Sequence, residues 1–148
     1  MIVAAAIIRS GTVRGAESSS PAVPEVLIGR RTAPAALAGC WEFPGGKLEP
    51  GETPHQGVHR EIREELGIEI DLGEELSPAD GDGWPIGKNL RMKVFYARMR
   101  EATQTPAPLE GHDLLRWAAI DSHLMDYTWI PANIPIVKKL ITHKEIPH

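Results

Sequence analysis

Two kinds of apolar pattern alternate along the chain. Residues 2–9 read IVAAAIIR, a near-continuous apolar run closed by Arg9. That is the pattern of a strand buried on both faces. Shorter strand-like runs follow at residues 25–29, 68–72, 90–99 and 114–120. Two other stretches repeat at helical spacing. Residues 53–66 place His55, Val58, Ile62 and Leu66 on one side, and residues 132–142 do the same with Ile136, Val137, Leu140 and Ile141. Thr53 is the expected N-cap of the first helix, Pro54 its first position and Gly67 its stop. Pro135 suits the first turn of the second helix, where a missing N–H is tolerated. Residues 10–24 hold Gly11, Gly15, Ser18, Ser19, Ser20, Pro21 and Pro24, the composition of a loop. Asp82, Gly83, Trp84, Pro85 and Gly87 punctuate the chain before residue 90. No internal repeat is visible. The order of strands, helix, strands and helix predicts an α/β or α+β layered fold, with a mixed sheet between helices.

Composition narrows this picture. At 148 residues the chain is expected to form one domain. That size buries enough surface to need no disulfide staples, and the single cysteine, Cys40, excludes an internal disulfide framework and any Cys-cluster zinc site. Sixteen basic against twenty acidic residues leave a net charge of −4, which argues against duplex nucleic acid or anionic membrane as a partner. The apolar run at the N-terminus stops at Arg9, far short of the roughly 20 residues that span a bilayer. The expected location is the cytoplasm. Oligomeric state is not legible.

The chemistry concentrates in residues 41–68, WEFPGGKLEPGETPHQGVHREIREELGI. On the first helix Glu61, Glu64 and Glu65 fall within about 100° of arc, away from the apolar side. Three carboxylates at i, i+3 and i+4 repel one another unless a cation sits among them. Hard oxygen donors of this kind suit Mg²⁺ or Mn²⁺. The plain alternative is a solvated acidic face neutralised by Arg60 and Arg63. Gly45 and Gly46 let backbone approach a ligand closely, and Lys47 can meet a phosphate. Glu52 precedes the helix, where negative charge is favoured, or pairs with Arg60.

The spacing Gly46, Glu52, Arg60-Glu61-Ile62, Glu64-Glu65 and Gly67-Ile68 resembles the complete Nudix box. A chance match is on the order of one in a billion per starting point. The stretch WEFPGGKLEPGETP and the later WIPANIPIVKKL resemble the MutT-like branch, the nucleoside triphosphate pyrophosphohydrolases. The resemblance implies an α/β/α sandwich with a mixed sheet. It implies Mg²⁺, with Mn²⁺ as a substitute, held by Glu61, Glu64, Glu65 and the Gly45 carbonyl, and Glu110 as a further acidic ligand from a distant loop. It also implies attack of water on a nucleoside triphosphate, releasing monophosphate and pyrophosphate. Glu61 is then the expected base, the alternative being a metal-bound hydroxide with no separate base; Glu64 stands beside it and Arg60 orients a carboxylate. Glu52 reads as structural.

Substrate contacts are expected at Arg31, Phe43, Gly46, Lys47, Arg91 and Asn133. A carboxamide at Asn133 offers a donor and an acceptor side by side. It matches O6 and the N7–H of 8-oxoguanine, whereas guanine presents two acceptors there. The alternative for Asn133 is a cap on the last helix. Trp84, Tyr127 and Trp129 are further stacking candidates, although aromatic residues usually pack a core. His55 and His59 have a zinc-compatible spacing but lack the Glu of a metalloprotease motif, and read as packing. The expected substrate is an oxidised purine nucleotide such as 8-oxo-dGTP. The alternatives are CTP or dCTP, ADP-ribose or a dinucleoside polyphosphate and, outside enzymes, a nucleotide-sensing domain.

Overall fold

The computed structural model describes residues 2–12, 24–78, 83–87, 89–101 and 103–142. The expected loop at residues 10–24 falls largely on positions 13–23, outside the described residues, as does Asp82. The first described element, β1 (Ile2–Thr12), is the spine of the sheet. It pairs in parallel with β7 (Leu90–Met99) and antiparallel with β2 (Glu25–Arg31) and β4 (Gly45–Lys47). The main path runs β3-β2-β1-β7-β5, with β3 at Trp41–Glu42 and β5 at Ile70–Glu75. Beside it, β6 (Trp84–Ile86) pairs with β7 and β8 (His112–Ala119) with β2. One parallel contact among antiparallel ones makes the sheet mixed.

Each face of the sheet carries one helix. Alternation along β1 sends Ala4, Ala6 and Ile8 to one face and Ala5 and Ile7 to the other. On the first face α1 (Pro54–Leu66) buries Val58, Ile62 and Leu66 over Leu27, Phe95 and Ala97. On the second, α2 (Ile134–Thr142) buries Ile136, Val137 and Leu140 among Val94, Tyr96, Trp41 and Trp129. The alanines of β1 keep the spine thin under α1.

Thr53 caps α1 as expected. Its hydroxyl accepts from Gln56 N–H while the Gln56 side chain accepts from Thr53 N–H, a reciprocal box. Gly67 ends the helix at φ 70°, the left-handed conformation that glycine adopts without penalty. Several boundaries differ from the sequence expectation. The last helix starts at Ile134, because Pro131–Asn133 form a separate 3₁₀ turn. Strand β8 begins at His112, two residues early, and β5 at Ile70, two residues late. The segment expected to be punctuation contains β6, whose ladder to β7 is too short for any sequence period to announce it. Among the described residues no helix is long and apolar enough to cross a membrane.

Candidate active site

The polar side of α1 meets the sheet where β3 runs into β4. Gly45 has no room for a side chain, since a Cβ there would strike the Ala4 carbonyl oxygen. At Gly46 a Cβ would sit 2.5 Å from the Glu61 carboxyl carbon. The double glycine therefore lets β4 lie against β1 on one side and receive helix carboxylates on the other. Glu65 Oε1 accepts from Gly45 N–H at 3.3 Å. Glu61 stands within hydrogen-bonding reach of Glu65. Burial foremost, then the bond to Glu61, its charge, and the charge of Glu42 push the Glu65 carboxyl up to about 10.

Arg60 organises the rest of the acidic side. Its Nε donates to Glu52 at 2.7 Å, and its Nη1 donates to Glu61 and Glu64, each at 2.9 Å. Its Nη2 donates to the Lys47 carbonyl at 3.0 Å and to the other oxygen of Glu52. These bonds, that to Glu52 foremost, raise the guanidinium pKa further above its ordinary value. Glu52 is held below the usual carboxylate range by the Arg60 bond and by the N–H of Glu49. Both oxygens of Glu52 are thus occupied in bracing the loop before α1, in line with a structural part. Glu64 is half-exposed at the rim, while Glu61 and Glu65 face inward. Among the described residues, no three His, Cys, Asp or Glu side chains converge as they stand to hold an ion.

On the far side of the same short segment lies Asn133. It is 1% exposed, and its Oδ1 accepts from Phe43 N–H at 2.9 Å. Its Nδ2 faces the Met92 sulfur at 3.9 Å, a weak acceptor. The oxygen serves Phe43 rather than the helix. The Phe43 ring is buried against Trp129, centroids 5.0 Å apart. Residues 43 and 45 are therefore gripped from opposite faces: an amide from the 3₁₀ turn before α2, a carboxylate from α1.

The other expected residues are less convergent. Arg31 is tied by Nη1 to Glu42 and by Nε to the Ala33 carbonyl. Arg91 is exposed and leans on the Gly83 carbonyl at 3.4 Å, and Lys47 is exposed. Glu110 is exposed, one residue beyond Leu109, whose N–H bonds the Glu65 carbonyl; no described contact joins its carboxylate to the cluster. Trp84, Tyr127 and Trp129 belong to or pack on the core. Trp84 and Trp129 direct their indole N–H groups to the carbonyls of Leu76 and Leu124. The Trp84 ring also borders a cavity of about 400 Å³ lined by Pro78, Pro135, Lys138, Lys139 and Thr142, which none of the site carboxylates reaches. His55, though exposed, lies over the Phe95 ring at 4.7 Å, and partial burial lowers the pKa of His59. Two residues near the site escaped the sequence reading, Glu42 and His112, which meet only through the sheet.

Comparisons with known proteins agree with this geometry. A family model described as "NUDIX domain" matches residues 14–140. A Mycobacterium tuberculosis protein named putative 8-oxo-dGTP diphosphatase 2 is 33% identical over 133 residues, covering 90% of this chain and 82% of its own. The Escherichia coli CTP pyrophosphohydrolase is 32% identical over 114 residues, covering 77% and 80%. The solution structure of the E. coli ORF135 protein superposes with a TM-score of 0.68 at 28% identity, covering 97% of this chain and 90% of that one.

Proposed function

Because the chain belongs to the Nudix family of hydrolases, we propose that it hydrolyses nucleoside triphosphates to the monophosphate and pyrophosphate with Mg²⁺, Mn²⁺ substituting, and that it prefers oxidised purines such as 8-oxo-dGTP. The observation that carries this reading is the grip on residues 43–45: paired carboxylates on one face and a buried carboxamide on the other. Its place is the nucleotide pool of the cytoplasm, with small nucleotides rather than duplex nucleic acid or membrane as partners.

The donor set fits a hard divalent cation. Burial first, and then the facing Glu61 carboxylate, push the Glu65 carboxyl up, and a cation between the two would offset both effects by favouring the ionised form. Glu61, Glu64, Glu65 and the Gly45 carbonyl would hold the ion, and Glu110 would join from its loop. When bound, Mg²⁺ neutralises triphosphate charge and makes water a better nucleophile. Glu61 takes the proton of the attacking water. Arg60, bonded to both Glu61 and Glu64, holds these carboxylates in place. Gly46 leaves backbone open to the phosphates, and Lys47, Arg31 and Arg91 meet their charge. Phe43 packs beside the base. Asn133 Oδ1 keeps a second lone pair for N7–H, and Nδ2 exchanges a weak sulfur contact for O6.

Hydrolysis of CTP or dCTP is the second reading. The E. coli relative's name favours it, and the same amide matches cytosine N4 and N3. Retention of Glu52, Glu61, Glu64 and Glu65 speaks for an enzyme over a sensor. The test is pyrophosphate release with Mg²⁺ from a panel of 8-oxo-dGTP, dGTP, dCTP, CTP, ADP-ribose and a diadenosine polyphosphate. The reading expects 8-oxo-dGTP to lead; a tenfold or greater preference for dCTP replaces it with the cytidine alternative.

A further inference from the structure

His112 opens β8 at a break in register. The ladder pairs Arg30 with Leu114 but Arg31 with His112, skipping Asp113. That bulge brings the imidazole onto the α1 face, against Gly29, where a Cβ would sit 2.7 Å from the ring. Gly29 also pairs with Glu42 across the neighbouring ladder. The ring is 1% exposed, and its Nε2 lies 2.8 Å from Glu42 Oε2. A carboxylate only accepts, so Nε2–H is the donor. Among the described residues the buried Nδ1 has no hydrogen-bond partner. A leucine or phenylalanine would fill this space without a bare nitrogen, so the imidazole is explained by its bond to Glu42. The other oxygen of Glu42 accepts from Arg31 Nη1 at 2.9 Å, and Arg31 Nε is fixed on the Ala33 carbonyl. The line from His112 through Glu42 ends on the guanidinium.

We infer that His112 is a positioning residue: it holds the Glu42 carboxylate, which holds Arg31 in the orientation that receives the substrate's phosphates. This rests on the reaction proposed above. It also assigns a task to Glu42, which stands close enough to Glu65 for its charge to be felt there.

The test measures two quantities in wild type, His112→Phe, His112→Gln, Glu42→Gln and the His112→Phe/Glu42→Gln double variant. One is the affinity for inorganic pyrophosphate with Mg²⁺, by titration calorimetry. The other is KM and kcat for 8-oxo-dGTP. His112→Phe should weaken pyrophosphate binding and raise KM about tenfold, with kcat changed less than threefold. His112→Gln, which can still donate to Glu42, should recover to within threefold of wild type. The double variant should be no worse than the poorer single one, since both act through Arg31. Unchanged binding in His112→Phe, losses that multiply in the double variant, or no pyrophosphate binding by wild type overturns the inference. Should His112→Phe fail to fold, Gly29→Ala decides, because its methyl displaces the ring: the same weakening supports the inference and unchanged affinity overturns it. A wild-type chain that binds pyrophosphate but cleaves no nucleotide refutes the proposed reaction while the titration still judges His112.

Discussion

The two helices use the same sheet in opposite ways. On one face α1 spends three residues, Val58, Ile62 and Leu66, on the core and gives its other side to ions: Arg60 with four carboxylate partners, and Glu61 against Glu65. On the other face α2 turns Ile136, Val137 and Leu140 inward among tryptophans, and the 3₁₀ turn before it brings an uncharged amide, Asn133, into a dry place. The first face is electrostatically loaded, and a cation there would relax it. On the second face the amide oxygen already holds the Phe43 N–H. The division matches the proposed substrate, which is highly charged at one end and planar with a few hydrogen-bonding edges at the other. The segment 43–45 belongs to both.

The largest effect that separates the faces is on turnover. Glu65→Gln keeps the size and part of the hydrogen bonding but removes a charge, and kcat for the leading substrate should fall at least about 10²-fold. Retention of more than a third of wild-type turnover at saturating Mg²⁺ would remove Glu65 from the ion's ligands.

A stability effect follows on the same face. Glu65 carries a raised pKa in the fold, so the metal-free fold binds a proton that the unfolded chain releases above the ordinary value of 4.5. The stability this contributes is fully present below about 4.5, declines as pH rises and is exhausted near 10. Mg²⁺ favours the ionised form and should abolish the decline, adding about 2.7 kcal/mol at a hundredfold excess over its Kd. Melting curves with EDTA and with millimolar Mg²⁺ across pH 5 to 9 (about the range one buffer set covers) check this. A pH-independent melt of the metal-free protein would contradict it.

On the second face the expected loss is structural before it is catalytic. Asn133→Ala strands the buried Phe43 N–H and should cost about 1–3 kcal/mol in a denaturant titration. A loss below about 0.5 kcal/mol would mean that water replaces the amide. The smallest effect belongs to neither site. Thr53→Ala breaks the reciprocal cap of α1 and should cost about 1 kcal/mol while leaving KM within twofold. A larger change in KM would show that the helix start moves the carboxylates.

The contrast between the faces also governs what the sequence made legible. Limits of α1 follow from Thr53, Pro54 and Gly67, because caps are local chemistry, and its carboxylates stand at spacings within one helix. The start of α2 lies two residues beyond the start its apolar pattern predicts, since Pro131, Ala132 and Asn133 fit a helix start as well as the 3₁₀ turn they form. Strands β3, β4 and β6 are two or three residues long and exist only through partners distant in the chain. Glu42 and His112 stand 70 residues apart and join through a bulge that no local pattern encodes. The bond from Asn133 to Phe43 spans 90 residues; resemblance pointed to both residues, but not to their bond.

Division of labour between the faces is tested most directly by a ratio. The specificity constants for 8-oxo-dGTP and dCTP, measured in wild type, Glu65→Gln and Asn133→Asp, separate rate from choice of base. Aspartate keeps an acceptor for Phe43 N–H but replaces Nδ2–H with a second acceptor, opposing purine O6 and favouring cytosine N4. The account predicts that Glu65→Gln lowers both constants together, leaving their ratio within about threefold, a change of less than 1 kcal/mol. It predicts that Asn133→Asp shifts the ratio toward dCTP by at least about tenfold. A Glu65→Gln enzyme whose ratio moves as far as its rate, or an Asn133→Asp enzyme whose ratio does not move, would contradict it.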